Sequence, residues 1–330
     1  MAAKVLKTNR VRADTTVVEA KVEYPSDSSL LAKGVAKLAA SAKRLKAAGL
    51  VARTITRDRT RSVRRRARSI GANLRRRTEE AQDEVKAINL DLAAIAERAV
   101  TEARAVVHNA RRGLRRAGDA GSAKLAAVID ELERTAGRVG RIAAQTRQRV
   151  SGVTPEGATR LVSLHDPDAR PIAKGRLGKP VEFGYKAQVV DNQDGVVLDH
   201  NVERGNPPDA PMLEPAIERI ARRVGRVPRA VTADRGYGEA AIDTALADLG
   251  VGRVVIPRKG RPNAARHQLE RRRSFQRLVK WRTGSEGRIS CLKRDFGWAR
   301  TRLDGLDGAR TWCGHGVFAH NTVKIAGLMG

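Results

Sequence analysis

Between residues 9 and 22 the chain carries β-branched and alternating positions and then meets Tyr24-Pro25, a pattern that predicts a strand stopped by proline. Asp14 falls on or beside that strand. From Ser26 to about Val150 the periodicity changes to threes and fours: Val85, Ile88, Leu92, Ile95 and Ala99, then Leu125, Val128 and Leu132. Such stripes predict at least two helices, with faces that could pair as a hairpin in coiled-coil fashion. Ser26, Asp27 and Ser28 offer N-caps, Gly49 a stop for the first helix, and 113–121 a turn between the paired helices. After Ser151-Gly152 and Pro155 the strand pattern returns. Stretches 161–164, 183–190 and 195–202 read as three strands, with a hairpin turn at 191–195. A helix at 212–224, a strand at 230–233, a helix at 239–249, a strand at 253–256, a basic loop at 258–266 and a final helical region follow. The alternation predicts an α/β fold, a mixed sheet flanked by helices. The chain thus reads as residues 1–25, a basic helical insertion over 26–150, and 151–330.

Charge narrows the partner. The net charge is +29 and the pI near 11.3, so the surface attracts polyanions and binds phosphates in a salt-dependent way. Aromatic residues are only 3% of the chain, which argues against base stacking on exposed rings and leaves phosphate contacts to dominate. Residues 41–80 hold 14 Lys or Arg against 3 Asp or Glu, including Arg64-Arg65-Arg66 and Arg75-Arg76-Arg77. A run of this kind is either a solvated face or a DNA-backbone contact, and the second reading is preferred. An RNA-binding protein is the bland alternative. Cys291 and Cys313 make no disulfide framework, and neither a signal-peptide pattern nor an apolar run long enough to span a bilayer is present.

The sharpest chemistry is at Arg282, Glu286 and Lys293. At roughly 100° per residue their spacings of four and seven put them at about 0°, 40° and 20° round a helix, on one side. Asp14 and Asp234 each end a β-like run. Three carboxylates beside basic residues point to metal-dependent phosphodiester chemistry, because hard cations prefer carboxylate oxygens and water. Asp166 and Asp168, separated by proline, are rival acids read as structural, with Asp166 the substitute should Asp14 fail. Asp209 reads most simply as a helix N-cap. Gly284 and Gly287 beside Glu286 each cost about 1 kcal/mol in a helix interior, so the helix is expected to start near Ser285. Cys291, Cys313, His315 and His320, spaced Cys-x21-Cys-x-His-x4-His, match no closed zinc pattern.

Arg282-x3-Glu286-x6-Lys293 resembles the Tyr-x2-Arg-x3-Glu-x6-Lys signature of a large group of DDE transposases from bacterial insertion sequences, with Val279 at the tyrosine position. Asp14-Thr15-Thr16-Val17-Val18-Glu19-Ala20, Phe183-Gly184-Tyr185-Lys186, Gly205-Asn206-Pro207-Pro208-Asp209 and Ala233-Asp234-Arg235-Gly236-Tyr237 extend the likeness in the family's order. The resemblance implies a ribonuclease-H-like sheet with the helical region inserted after the first strand. It implies a catalytic and metal-holding triad of Asp14, Asp234 and Glu286, with Mg²⁺, or Mn²⁺ in its place, as cofactor and Asp14 the ligand shared between two ions. Arg282 and Lys293 would orient the glutamate and touch phosphates. The partners implied are double-stranded DNA, at transposon ends and target, and a second copy in a homodimer, with no membrane and no small-molecule substrate. The place implied is the bacterial cytoplasm, on the nucleoid. Family members carry a helical DNA-binding domain ahead of the first catalytic strand, so the expectation is an N-terminally truncated transposase. The competing readings are a non-catalytic DNA-binding remnant and a stand-alone nuclease.

Overall fold

The computed structural model describes residues 6–117, 122–174, 178 and 180–329. The chain divides into two compact units, one spanning Val22–Pro167 and one combining Met1–Lys21 with Asp168–Gly330.

The first unit is helical, with α1 (Asp27–Ala47), α2 (Thr60–Asn73), α3 (Glu79–Ala117) and α4 (Ser122–Val150). Ser26 caps α1, its Oγ accepting from the Ser29 amide at 3.2 Å and satisfying one orphan donor. Gly49, at φ +76, turns the chain just past its end. Leu92, Ile95 and Ala99 from α3 and Leu132 from α4 are buried in one core, with Val85, Ile88, Leu125 and Val128 at its margin. Fully buried leucines such as Leu92 and Leu132 each contribute about 2 kcal/mol of transfer free energy. Glu97 faces Arg147 at 2.7 Å while Arg111 faces Glu133 at 2.6 Å, so α3 and α4 run antiparallel.

Two expectations change here. Gly113 lies inside α3, where a Cβ would stand 2.9 Å from the Leu50 carbonyl oxygen; its glycine serves close packing, and residues 118–121 of the expected turn lie outside the described residues. Stretch 161–164 is no strand. Leu161 and Leu164 join the helical core, and the Gln145 side chain accepts from Leu161 N at 3.1 Å and donates to Leu161 O at 3.0 Å, replacing a strand partner.

The second unit holds β1 (Arg10–Glu19), β2 (Arg170–Ala173), β3 (Val181–Asn192), β4 (Val197–Arg204), α5 (Leu213–Val224), β5 (Ala230–Ala233), α6 (Ala240–Asp248) and β6 (Arg253–Val255). They are followed by α7 (Ala264–Arg271), α8 (Arg273–Arg282), α9 (Gly284–Asp295) and α10 (Gly305–Met329). In the sheet β3 pairs antiparallel with β1, β2 and β4, while β5 runs parallel to β1 and β6 parallel to β5. The β3–β4 turn is set by Asn192, whose Oδ1 accepts from Asp194 N at 3.0 Å and Val196 N at 2.9 Å, and by Gly195 at φ +82. Val11, Ala13, Val190, Val231 and Ala233 form a core with Leu213, Ile217 and Ile220 of α5 and Ile242 and Leu246 of α6.

Alternation along β1 sends Arg12 and Asp14 to the other face. Arg12 forks onto Asp191, its register partner on β3, at 2.9 and 2.8 Å, donates to the Trp281 carbonyl at 2.8 Å, and stacks 4.7 Å from that indole. A Cβ on Gly284 would come within 2.2 Å of the Arg12 guanidinium, which accounts for one of the two glycines beside Glu286; around Gly287 there is open space. Thr283 separates α8 from α9. Among the described residues no helix is long and apolar enough to cross a membrane.

Candidate active site

The β1–β5 register ends at the pair Ala13↔Ala233. Asp14 and Asp234 are the next residues on two adjacent parallel strands, whose backbones are about 4.8 Å apart. Asp14 Oδ1 accepts from the Thr15 amide at 2.8 Å, and its Oδ2 accepts from Arg282 Nη1 at 3.2 Å. Asp234 Oδ1 accepts from Gly236 N at 2.7 Å and caps a short 3-10 turn, Arg235–Tyr237. Glu286 stands in the first turn of α9, its Oε1 3.6 Å from Arg282 Nη2, with a side chain 70% exposed. Arg282, at the end of α8, therefore joins an acid on the central strand to an acid on the next helix.

Burial pushes the Asp14 carboxyl up to about 6; the Thr15 amide and Arg282 oppose the rise, and the charges of Asp234 and Glu286 add to it. Asp234 is raised too, first by burial and then by the neighbouring Asp209, against the hold of the Gly236 amide. Tyr237 is buried and its hydroxyl, which accepts from Gln188 Nε2 at 3.1 Å, is driven well above its ordinary value by that burial. Asp209 corrects a sequence expectation. It precedes a 3-10 turn, Ala210–Met212, without capping it. Its Oδ1 instead pairs with Lys186 Nζ at 2.6 Å and accepts from Thr15 Oγ1 at 3.1 Å. The motif strings containing Asp14, Lys186, Asp209, Asp234 and Arg282 thus meet in one place.

A family model described as a transposase DDE domain matches residues 154–322. The chain belongs to the DDE transposases. No curated protein and no solved structure matches it. The stretch matched in this DDE transposase contains Lys186, Asp209, Asp234, Arg282 and Glu286, whereas Asp14 precedes it and joins them through the strand register.

The remaining candidates sort by position. The charges acting on Asp14 are those of Asp234, Arg282 and Glu286. Asp166 instead lies buried in the helical unit of the transposase, with its amide on Ser163 Oγ at 3.0 Å. Asp168 pairs with Arg204 at 3.4 Å and accepts from Leu306 N at 3.3 Å, a structural role at the start of α10. Lys293 is half-buried, about two turns beyond Glu286 on α9. Arg64 and Arg65 are exposed on α2, and Arg75, Arg76 and Arg77 are exposed beyond its end. Arg66 differs, because it is committed to Asp91 and Ser62. Cys313 is buried, its thiol pushed up to about 12 by desolvation, and His320 Nε2 faces Arg288 Nη1 at 2.8 Å.

Among the described residues no group of three His, Cys, Asp or Glu is gathered as a metal cage. The donor chemistry at Asp14 and Asp234 nevertheless fits a hard divalent cation. Two carboxylates on adjacent strands are raised by burial, and Asp14 is raised further by the charge of Asp234. A cation would relieve that penalty. Glu286 differs from both, since its side chain is largely exposed and its Oε1 stands 3.6 Å from Arg282 Nη2. Sequence reading missed Lys186, Asp209, Gln188 and Tyr237 as members of this site; the available signal was that Lys186, Asp209 and Tyr237 each fall in one of the family-like motif strings, Tyr237 in the same string as Asp234.

Proposed function

We propose that this DDE transposase cuts DNA at the ends of a mobile element and joins the freed 3′-hydroxyl to target DNA, using Mg²⁺ or Mn²⁺ held by Asp14, Asp234 and Glu286. The observation that carries this reading is the register that makes Asp14 and Asp234 neighbours at the ends of paired parallel segments. The strand order β4-β3-β1-β5-β6, antiparallel over the first three and parallel over the last three, supports a ribonuclease-H-like assignment of the sheet, with the helices of residues 22–167 inserted after its first strand.

In cleavage a water oxygen bonds to phosphorus and the 3′-oxygen leaves as a hydroxyl. In joining, that hydroxyl bonds to a target phosphorus and a target 3′-oxygen leaves. When bound, divalent cations supply activation of the attacking oxygen and stabilisation of the leaving one. The protein's own part is electrostatic. Arg282 faces both Asp14 and Glu286, and with Glu286 among the residues that would hold a cation, the Nη2 that faces it would be available to a non-bridging phosphate oxygen. Lys293 serves as a further phosphate contact on the same helix. Exposed Arg64, Arg65, Arg75, Arg76 and Arg77 of the helical unit hold the DNA backbone without reading its sequence. The working form is a homodimer on double-stranded DNA in the bacterial cytoplasm. Replacing Asp14, Asp234 or Glu286 by alanine is expected to abolish strand cleavage while leaving DNA binding nearly unchanged, as read by nicking and by gel shift. Cleavage retained by the Asp234 variant contradicts the proposal.

A further inference from the structure

We infer that Asp209 is a positioning residue of the acid site, fixing the strand segment of Asp14 beside Asp234 so that both carboxylates can receive one divalent cation. The inference rests on the metal-dependent reading above. Asp209 Oδ1 is clasped from two sides, by Lys186 Nζ at 2.6 Å and by Thr15 Oγ1 at 3.1 Å, and Lys186 is itself fixed by the Pro207 carbonyl at 2.7 Å. Thr15 is the residue after Asp14, so this clasp fixes the strand on which Asp14 stands. Oδ2 faces the other acid. A Cβ placed on Gly236 would sit 2.8 Å from Asp209 Oδ2 and 2.9 Å from Asp234 Oδ1, so both oxygens crowd the same glycine.

That crowding fits a glycine at position 236, and the Asp209 charge opposes ionisation of Asp234. Among the described residues no hydrogen bond reaches Oδ2, whereas Oδ1 receives one from Thr15 and an ion pair from Lys186. The cap role open to an aspartate in this position is not used. Lys186, with a side chain only 10% exposed, balances the added charge, so Asp209 can stand beside Asp234 without leaving a buried anion uncompensated. A Lys186–Asp209 pair that served folding alone would bear on neither metal affinity nor its dependence on Thr15.

The test is isothermal titration of the full chain with Mn²⁺, without DNA, for the wild type and for Asp209→Asn, Thr15→Val and Asp234→Ala. The expected result is binding by the wild type, its loss in Asp234→Ala, and an affinity about 10- to 100-fold weaker in Asp209→Asn with an unchanged far-UV spectrum, the size usual for groups that orient metal ligands. Thr15→Val removes one clasp only, and a smaller weakening in the same direction is expected. Should Asp209→Asn fail to fold, the Thr15 variant decides: weaker Mn²⁺ binding supports the inference and unchanged binding overturns it. Wild-type affinity in a folded Asp209→Asn, or a wild type that takes up no Mn²⁺, also overturns it. A wild type that binds Mn²⁺ but never nicks DNA counts against strand cleavage while leaving the role of Asp209 measured.

Discussion

Arg282 donates to Asp14 Oδ2 at 3.2 Å across 268 positions of the chain, tying the end of α8 to the central strand. The guanidinium opposes the rise of the Asp14 carboxyl that burial imposes. Arg282→Ala should therefore lift the Asp14 pKa above about 6, moving the pH midpoint of Mn²⁺ binding upward. Arg282→Lys cannot reach both acids with one point charge, so it should restore the midpoint only in part. Mn²⁺ titration across pH checks this, and a midpoint that stays put or falls contradicts it.

Asp14 should also make the metal-free protein less stable at neutral pH. Its folded pKa of about 6 lies above the ordinary aspartate value of 3.8, so the folded state binds the proton more tightly than the unfolded chain. That contribution to stability is fully present below about pH 4 and is lost as pH rises through 6. Asp14→Asn, which removes the charge, should gain about 1–3 kcal/mol over wild type at pH 8 in EDTA, with the difference vanishing toward pH 4. Urea unfolding at the two pH values measures it; a variant less stable at pH 8 contradicts the assignment.

The Arg12–Asp191 fork holds α8 and α9 against the sheet, with both side chains almost fully buried. Arg12→Ala leaves the aspartate with the longer contact from Arg288, at 3.4 Å, and should cost about 3–5 kcal/mol by urea unfolding. Arg12→Lys should recover little, because a lysine can neither fork onto the carboxylate nor stack on Trp281. A loss under about 1 kcal/mol for Arg12→Ala would show that the pair is dispensable.

The arginines of the helical unit should separate by their partners. Replacing exposed Arg64, Arg65, Arg75 and Arg77 together by alanine should weaken DNA binding at low salt and flatten log Kd against log salt by about 3–4, at roughly 0.9 per lost phosphate contact. Arg66→Ala should instead lower stability through its lost partner Asp91. Unchanged salt dependence in the fourfold variant would place the DNA contact elsewhere.

What the sequence made legible was mostly local. The alternation over β1 and the apolar stripes of α3 and α4 are periodic signals that a single element carries whole. The acids and Arg282 were visible as motif strings, while the register that joins Asp14 to Asp234 needs a strand pairing more than 200 positions apart in sequence. The misread stretches have particular causes. Leu161–Leu164 carries a strand-like apolar run, yet the side chain of Gln145 takes the Leu161 backbone bonds. Gly113 looked like a turn and serves a close approach by Leu50. At Asp209 a common local preference, the helix cap, competes with two partners that come from distant segments. Arg12 gave no signal, since its meaning depends on Asp191 and Trp281 being brought to it.

The most direct measurement is nicking of supercoiled plasmid by the purified protein with Mg²⁺, with EDTA, and with Asp234→Ala in parallel. The account predicts relaxed circles with Mg²⁺ that disappear with EDTA and in the variant. A folded protein that binds the plasmid but leaves it supercoiled with Mg²⁺, or nicks it equally well without Asp234, would contradict it.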